Sequence, residues 1–206
     1  MGCRHEVDAA DPAAAVVAHQ AISAEWLSAA LQHQGIAAVV GDFTVETISA
    51  GQLGEVRRCH LRYSGRCPPQ APTSLIGKFP SADDVAASTG RRLGIYRAEV
   101  MFYRELAARA AIRTPRPDVA AIDDPHNFVL LLEDLAPATA GDHLRGCAVA
   151  DARKAWREGA RLHAAFWNDD TLAAQPWRTC RPARRASIPP PWSHRRGRIS
   201  TTAIPI

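Results

Sequence analysis

Three features along the chain could act together on phosphate. Gly51 and Gly54 sit in a short turn, Ser49 to Glu55, between two β-branched runs. Glycine there lets backbone N–H groups approach phosphate oxygens with no Cβ in the way. Lys78 is the one charged residue in the apolar stretch Ser74–Pro80. Glu99 follows on a segment of helical periodicity. A lysine on a buried sheet face needs a carboxylate, because burying an unpaired charge is costly. Each feature also has a plainer reading: a Gly-x-x-Gly pair is common in ordinary turns, and Lys78 fits an edge-strand gatekeeper. Glu99 competes with Glu105; six positions is about 240° around a helix, so one of them faces the sheet. Their order along the chain argues more than any one alone.

The elements that must position these residues follow from pattern. Ser23 reads as an N-cap, with Ile22 and Leu27 at the staple positions, Trp26, Leu27, Ala30 and Leu31 as an apolar stripe, and Gly35 closing the helix. Phe43–Ile48 alternates as a strand, and Val56–Tyr63 resumes with Cys59, Leu61 and Tyr63 on one face. Ser74–Pro80 predicts a third strand, Ser81–Gly90 a polar linker, and Arg91–Ala111 one long amphipathic helix carrying Leu93, Tyr96, Val100, Tyr103 and Ala107. Val119–Ile122 and Phe128–Leu132 predict two more strands around a turn, and Ala148–Trp167 a last helix. Five strands with a helix inserted after the third make an α+β fold, an antiparallel sheet with a helix packed on it.

Composition narrows the function classes. The chain has 206 residues, 47% hydrophobic and 22% charged, enough for one core and part of a second. No apolar run approaches the ~20 residues of a membrane helix, and no signal peptide is apparent, so a soluble cytoplasmic protein is expected. Cys3, Cys59, Cys67, Cys147 and Cys180 are odd in number and lack C-x-x-C spacing, which argues against a disulfide framework and a zinc site. Of 25 basic residues, seven arginines fall after Asp170, where no Asp or Glu occurs, leaving 18 against 21 acidic residues in the body.

The segments Gly51–Val56, Leu75–Pro80, Tyr96–Tyr103, Leu130–Leu135 and Arg161–Trp167, in that order, resemble the aminoglycoside phosphotransferase / choline kinase-like superfamily, in particular its ecdysteroid-kinase-like branch. The resemblance runs from about Ile22 to Trp177. It implies a protein-kinase-like N-terminal lobe over 22–135 and the start of a helical C-terminal lobe over 136–177; by composition, 1–21 reads as an N-terminal extension and 178–206 as a basic, disordered tail. The resemblance also implies ATP as cofactor. Lys78 would contact the α/β-phosphates and pair with Glu99. Gly51 and Gly54 would cover the phosphates, and backbone groups of Glu133 and Leu135 would hydrogen-bond adenine at a hinge. Asp134 reads equally as a cap or turn residue. His163 and Trp167 read as packing residues.

The family's catalytic Asp and its magnesium ligands are not found: the last carboxylates are Asp169 and Asp170, and no His-Gly-Asp or Asp-x-x-x-x-Asn pattern appears. The shift to Arg, Pro, Ser and Thr from Arg178 reads as a frameshifted or truncated gene. The expectation is therefore a truncated phosphotransferase for a small-molecule acceptor, with ATP binding weak or lost and no turnover alone. Two alternatives are a non-catalytic nucleotide- or partner-binding module and a nucleic-acid binder using Arg184-Arg185 and Arg195-Arg196; the tail's lack of aromatic interleaving beyond Trp192 disfavours the second. Without a second lobe, Trp156, Leu162 and Phe166 are expected to form an exposed patch that promotes self-association.

Overall fold

A computed structural model describes residues 16–50, 53–123, 127–139, 141, 142, 144–175 and 177. Most of the expected N-terminal extension, Gly51 and the basic tail lie outside these residues. Helix α1 (Ala24–His33) starts as its sequence predicts: the Ser23 side chain accepts the Trp26 N–H at 3.1 Å. Gly35, just past its end, has φ +75°. Trp26, Leu27, Ala30 and Leu31 are all buried. Ser28 ties the helix to the first strand, donating to the Ala24 carbonyl at 2.7 Å and accepting the Val40 N–H at 2.9 Å.

Five strands follow: β1 (Val40–Ala50), β2 (Gly54–Tyr63), β3 (Ser74–Pro80), β4 (Pro117–Ile122) and β5 (Phe128–Glu133). They form one antiparallel sheet in the order β1-β2-β3-β5-β4. Side chains alternate between its faces. Cys59, Leu61, Leu75, Phe79, Val129 and Leu131 point toward α1 and build the larger core. Phe128, Leu130 and Leu132 point the other way and pack against Tyr96 and Val100. Buried on both faces, β5 reads Phe-Val-Leu-Leu-Leu, a continuous apolar run rather than an alternation.

Two expectations fail between β3 and β4. The segment expected as a linker folds as α2 (Asp84–Arg92), because the Asp83 carboxylate caps it by accepting the Ala86 N–H at 2.7 Å. The expected single helix over 91–111 is broken by Gly94, whose φ of +67° lies in the left-handed region that interrupts a helix and favours glycine. Past it come α3 (Ile95–Met101), a π-helical turn over Phe102–Leu106 and a 3-10 turn over Ala107–Arg109. Leu93, expected on the buried stripe, is consequently exposed, whereas Tyr96 and Val100 are buried.

Helix α4 (Val149–Ala165) is followed by a short α5 (Asp170–Ala173). No residue of α4 is buried, and Trp156 is 81% exposed. Phe166, just past its end, is half-buried, with the Arg109 guanidinium 5.3 Å above its ring. His163 and Trp167, expected to pack, are exposed. The helical pattern predicts a stripe; whether the stripe is covered depends on what lies beside it.

Asp118, at an irregularity in the β4–β5 ladder, is buried with its carboxylate 0% exposed. Arg116 lies 3.1 Å away as an ion pair, yet neither carboxylate oxygen accepts a well-aligned hydrogen bond. Burial pushes this carboxyl above its ordinary range, against the pull of Arg116. A raised carboxyl favours the folded state below about pH 3.9, the unfolded value, and loses that advantage as pH rises through the folded pKa. Asp118→Asn, which cannot ionise, is expected to melt a few degrees above the wild type at pH 7 and level with it at pH 4. Melting curves at both pH values test this; a variant less stable than wild type at pH 7 would show that the ion pair outweighs the desolvation.

Candidate functional site

Lys78 pairs with Val56 of β2 and Leu130 of β5, so its side chain stands on the sheet face opposite α1. Helix α3 crosses that face and brings Glu99 to it. The Lys78 ammonium donates a hydrogen bond to Glu99 Oε1, the two side chains being 30% and 29% exposed. Of the two competing glutamates the sheet therefore takes Glu99. Glu105 instead accepts the Trp177 indole N–H at 2.8 Å, which ties the helical C-terminal segment to the α3 extension. Tyr103 lies near the pair, and burial followed by the Glu99 charge raises its hydroxyl above the ordinary range.

A cavity of about 160 Å³ opens beside this pair, with Leu53, Gly54, Val56 and Tyr96 among its walls. Gly54 begins β2 opposite Pro80. A Cβ there would stand 2.9 Å from the Phe79 carbonyl oxygen, so close strand pairing by itself demands glycine. Gly51 lies outside the described residues. Glu55, next in the chain, has its carboxylate engaged by Arg57 at 2.6 and 3.0 Å.

Two residues from Lys78 on the same face of β3, about 7 Å along the strand, Ile76 opens onto a second cavity of about 210 Å³. Ile48, Leu132, Glu133 and Leu135 also line it. The Glu133 N–H donates to the Arg116 carbonyl at 2.8 Å, and the Leu135 carbonyl accepts the Ala138 N–H at 2.9 Å. The Glu133 N–H and the Leu135 carbonyl are therefore already engaged within the protein. The Glu133 carboxylate points elsewhere: it accepts from Arg113 at 2.6 Å and from the Arg116 N–H at 3.0 Å, and these hold it below the ordinary carboxylate range.

Asp134, between them, is a structural tie. Its Oδ2 accepts from Arg58 Nε and Ser74 Oγ, each at 2.7 Å, and its Oδ1 from the Ala136 N–H at 3.0 Å. Burial would raise this carboxyl, but the Ser74, Arg58 and Ala136 bonds together hold it below its ordinary value. Arg58 and His60 both reach Glu46, at 3.3 and 3.2 Å, so the chain of contacts runs on to β1. The sequence weighed Asp134 as a turn residue but gave no sign of Arg58, which is 76 positions away.

The chain matches no family model and no curated protein. Among the described residues no helix is long and apolar enough to cross a membrane, and no group of three or more His, Cys, Asp or Glu is placed to hold a metal ion. Asp169 is committed to local structure. It accepts from Thr171, from Arg109 at 2.5 Å and from the Leu172 N–H at 3.2 Å, bonds that carry its carboxyl down to about 2.

Proposed function

We propose that residues 22–135 form the nucleotide-binding lobe of an ATP-dependent small-molecule phosphotransferase of the aminoglycoside phosphotransferase / choline kinase-like kind, and that 136–177 begin its helical second lobe. The observation that carries this reading is the Lys78–Glu99 pair, set on one sheet face between the cavity that Leu53 and Gly54 line and the apolar cavity beside Ile76. The ammonium would meet the phosphates while Glu99 holds it in place. The apolar cavity would take the purine. The Glu133 carbonyl and the Leu135 N–H would supply the acceptor and the donor that an aminopurine edge needs for its exocyclic amine and ring nitrogen.

ATP would supply the phosphoryl group. No described residue is assigned as the base that would orient an acceptor hydroxyl or as a magnesium ligand, and Asp169 is spent on its cap. We therefore read this chain as binding nucleotide without turnover. That reading shades into a non-catalytic nucleotide-binding module, which the committed Asp169 carboxylate favours. Equilibrium dialysis with labelled ATP, with and without magnesium, is expected to show weak binding displaced by ADP. A coupled ADP-release assay over a panel of hydroxyl and amine acceptors is expected to stay at background. No ATP binding at millimolar ligand would remove the nucleotide reading; acceptor-dependent ADP release abolished by Lys78→Ala would remove the reading without turnover.

A further inference from the structure

Tyr96 precedes Glu99 by three positions, so the two side chains leave neighbouring positions on one side of α3. It is 2% exposed, and its ring is held from two directions. The Phe128 ring packs against it with centroids 4.7 Å apart and planes tilted by 34°. Gly90 of α2 gives it room, since a Cβ there would come within 2.5 Å of the ring. A ring so confined holds its oxygen in one place, and that hydroxyl donates to the carbonyl of Leu53, the residue just before β2. Leu53, Gly54, Tyr96, Lys78 and Glu99 all line the same cavity.

We propose that Tyr96 is a positioning residue: its hydroxyl fixes the Leu53–Gly54 peptide beside the Lys78–Glu99 pair, so that affinity for the phosphates, and not for the nucleoside, depends on it. This rests on the nucleotide-binding reading given above. In a planar trans peptide the carbonyl and the following N–H point in opposite directions. Anchoring the Leu53 carbonyl therefore sets the direction of the Gly54 N–H. Short α3 then holds both parts of the phosphate end, Lys78 through Glu99 and the turn through Tyr96. A shift of the helix would move both together. The purine end is held separately, by Asp134 through Arg58 and Ser74, and does not involve Tyr96.

Tyr96→Phe removes one oxygen and keeps the ring between Phe128 and Gly90. A hydrogen bond contributes about 1 kcal/mol, so Mg-ATP affinity is expected to fall about fivefold. Adenosine affinity should stay unchanged. Amide hydrogen exchange at Gly54–Val56 should speed up, while exchange in β5 stays as in wild type. A uniform rise in exchange across β5, or an equal loss for adenosine and ATP, would make Tyr96 merely structural and overturn the proposal; so would unchanged ATP affinity. Lys78→Met, measured alongside, separates the two levels. If it loses ATP and Tyr96→Phe does not, the proposal alone fails. If wild type and Lys78→Met bind ATP equally, the nucleotide reading fails and the proposal falls with it. Gly90→Ala, which pushes the same ring aside, is expected to reproduce the ATP loss, and unaltered ATP affinity in that variant would also count against the proposal.

Discussion

Lys78→Met is expected to weaken Mg-ATP binding about tenfold or more, since a hydrogen bond to a charged group contributes about 1.5–3 kcal/mol. The expected loss is large because Lys78 is the one cation among the described residues lining the cavity beside Glu99. The fold should survive: the Glu99 carboxylate left behind is 29% exposed and can be solvated where it stands. Glu99→Gln should lose less, because the ammonium stays and only its orienting charge goes. Both variants should keep adenosine affinity, since Ile76 and the backbone at Glu133–Leu135 are untouched. Calorimetric titration of ATP and adenosine against the three proteins gives the comparison. Equal ATP affinity for wild type and Lys78→Met would show that this face of the sheet is not a nucleotide site.

The strand pattern and the first helix were legible because each is set by short-range chemistry. Ser23 caps α1 from three residues away, and alternation in β2 and β3 reports which face is dry. The Lys78–Glu99 pairing was legible for a related reason: one charge in an apolar strand must find a partner, and the next helix offers two candidates. The sequence could not show where the helical stretch after β3 breaks. Its Gly90 and Gly94 look alike as text, yet the first lies inside α2 under the Tyr96 ring and the second turns the chain. Ser81, Asp83 and Asp84 together look like a polar loop, and only the helix that follows makes Asp83 a cap. The ties of Asp134 to Arg58 and of Glu105 to Trp177 span 76 and 72 positions. No local pattern encodes contacts at that range; they exist only once the chain has folded.

Leu131→Ala and Trp156→Ala should separate packed apolar residues from merely patterned ones. Leu131 is fully buried in β5, opposite Gly77 of β3 and Val119 of β4, in the core that α1 covers. Truncating it removes transfer free energy and leaves a cavity that two paired neighbours cannot close, about 3 kcal/mol, or on the order of 10 °C in melting temperature. Trp156 is the larger apolar side chain and stands on an apolar stripe in sequence, but it is 81% exposed and α4 buries nothing. Its removal should change stability by less than about 0.5 kcal/mol. Thermal or urea unfolding of the two variants, followed by the circular dichroism of the sheet, reads both effects at once. If Trp156→Ala destabilises the protein as much as Leu131→Ala does, α4 is packed against something in solution, and its exposed stripe is an interface already in use.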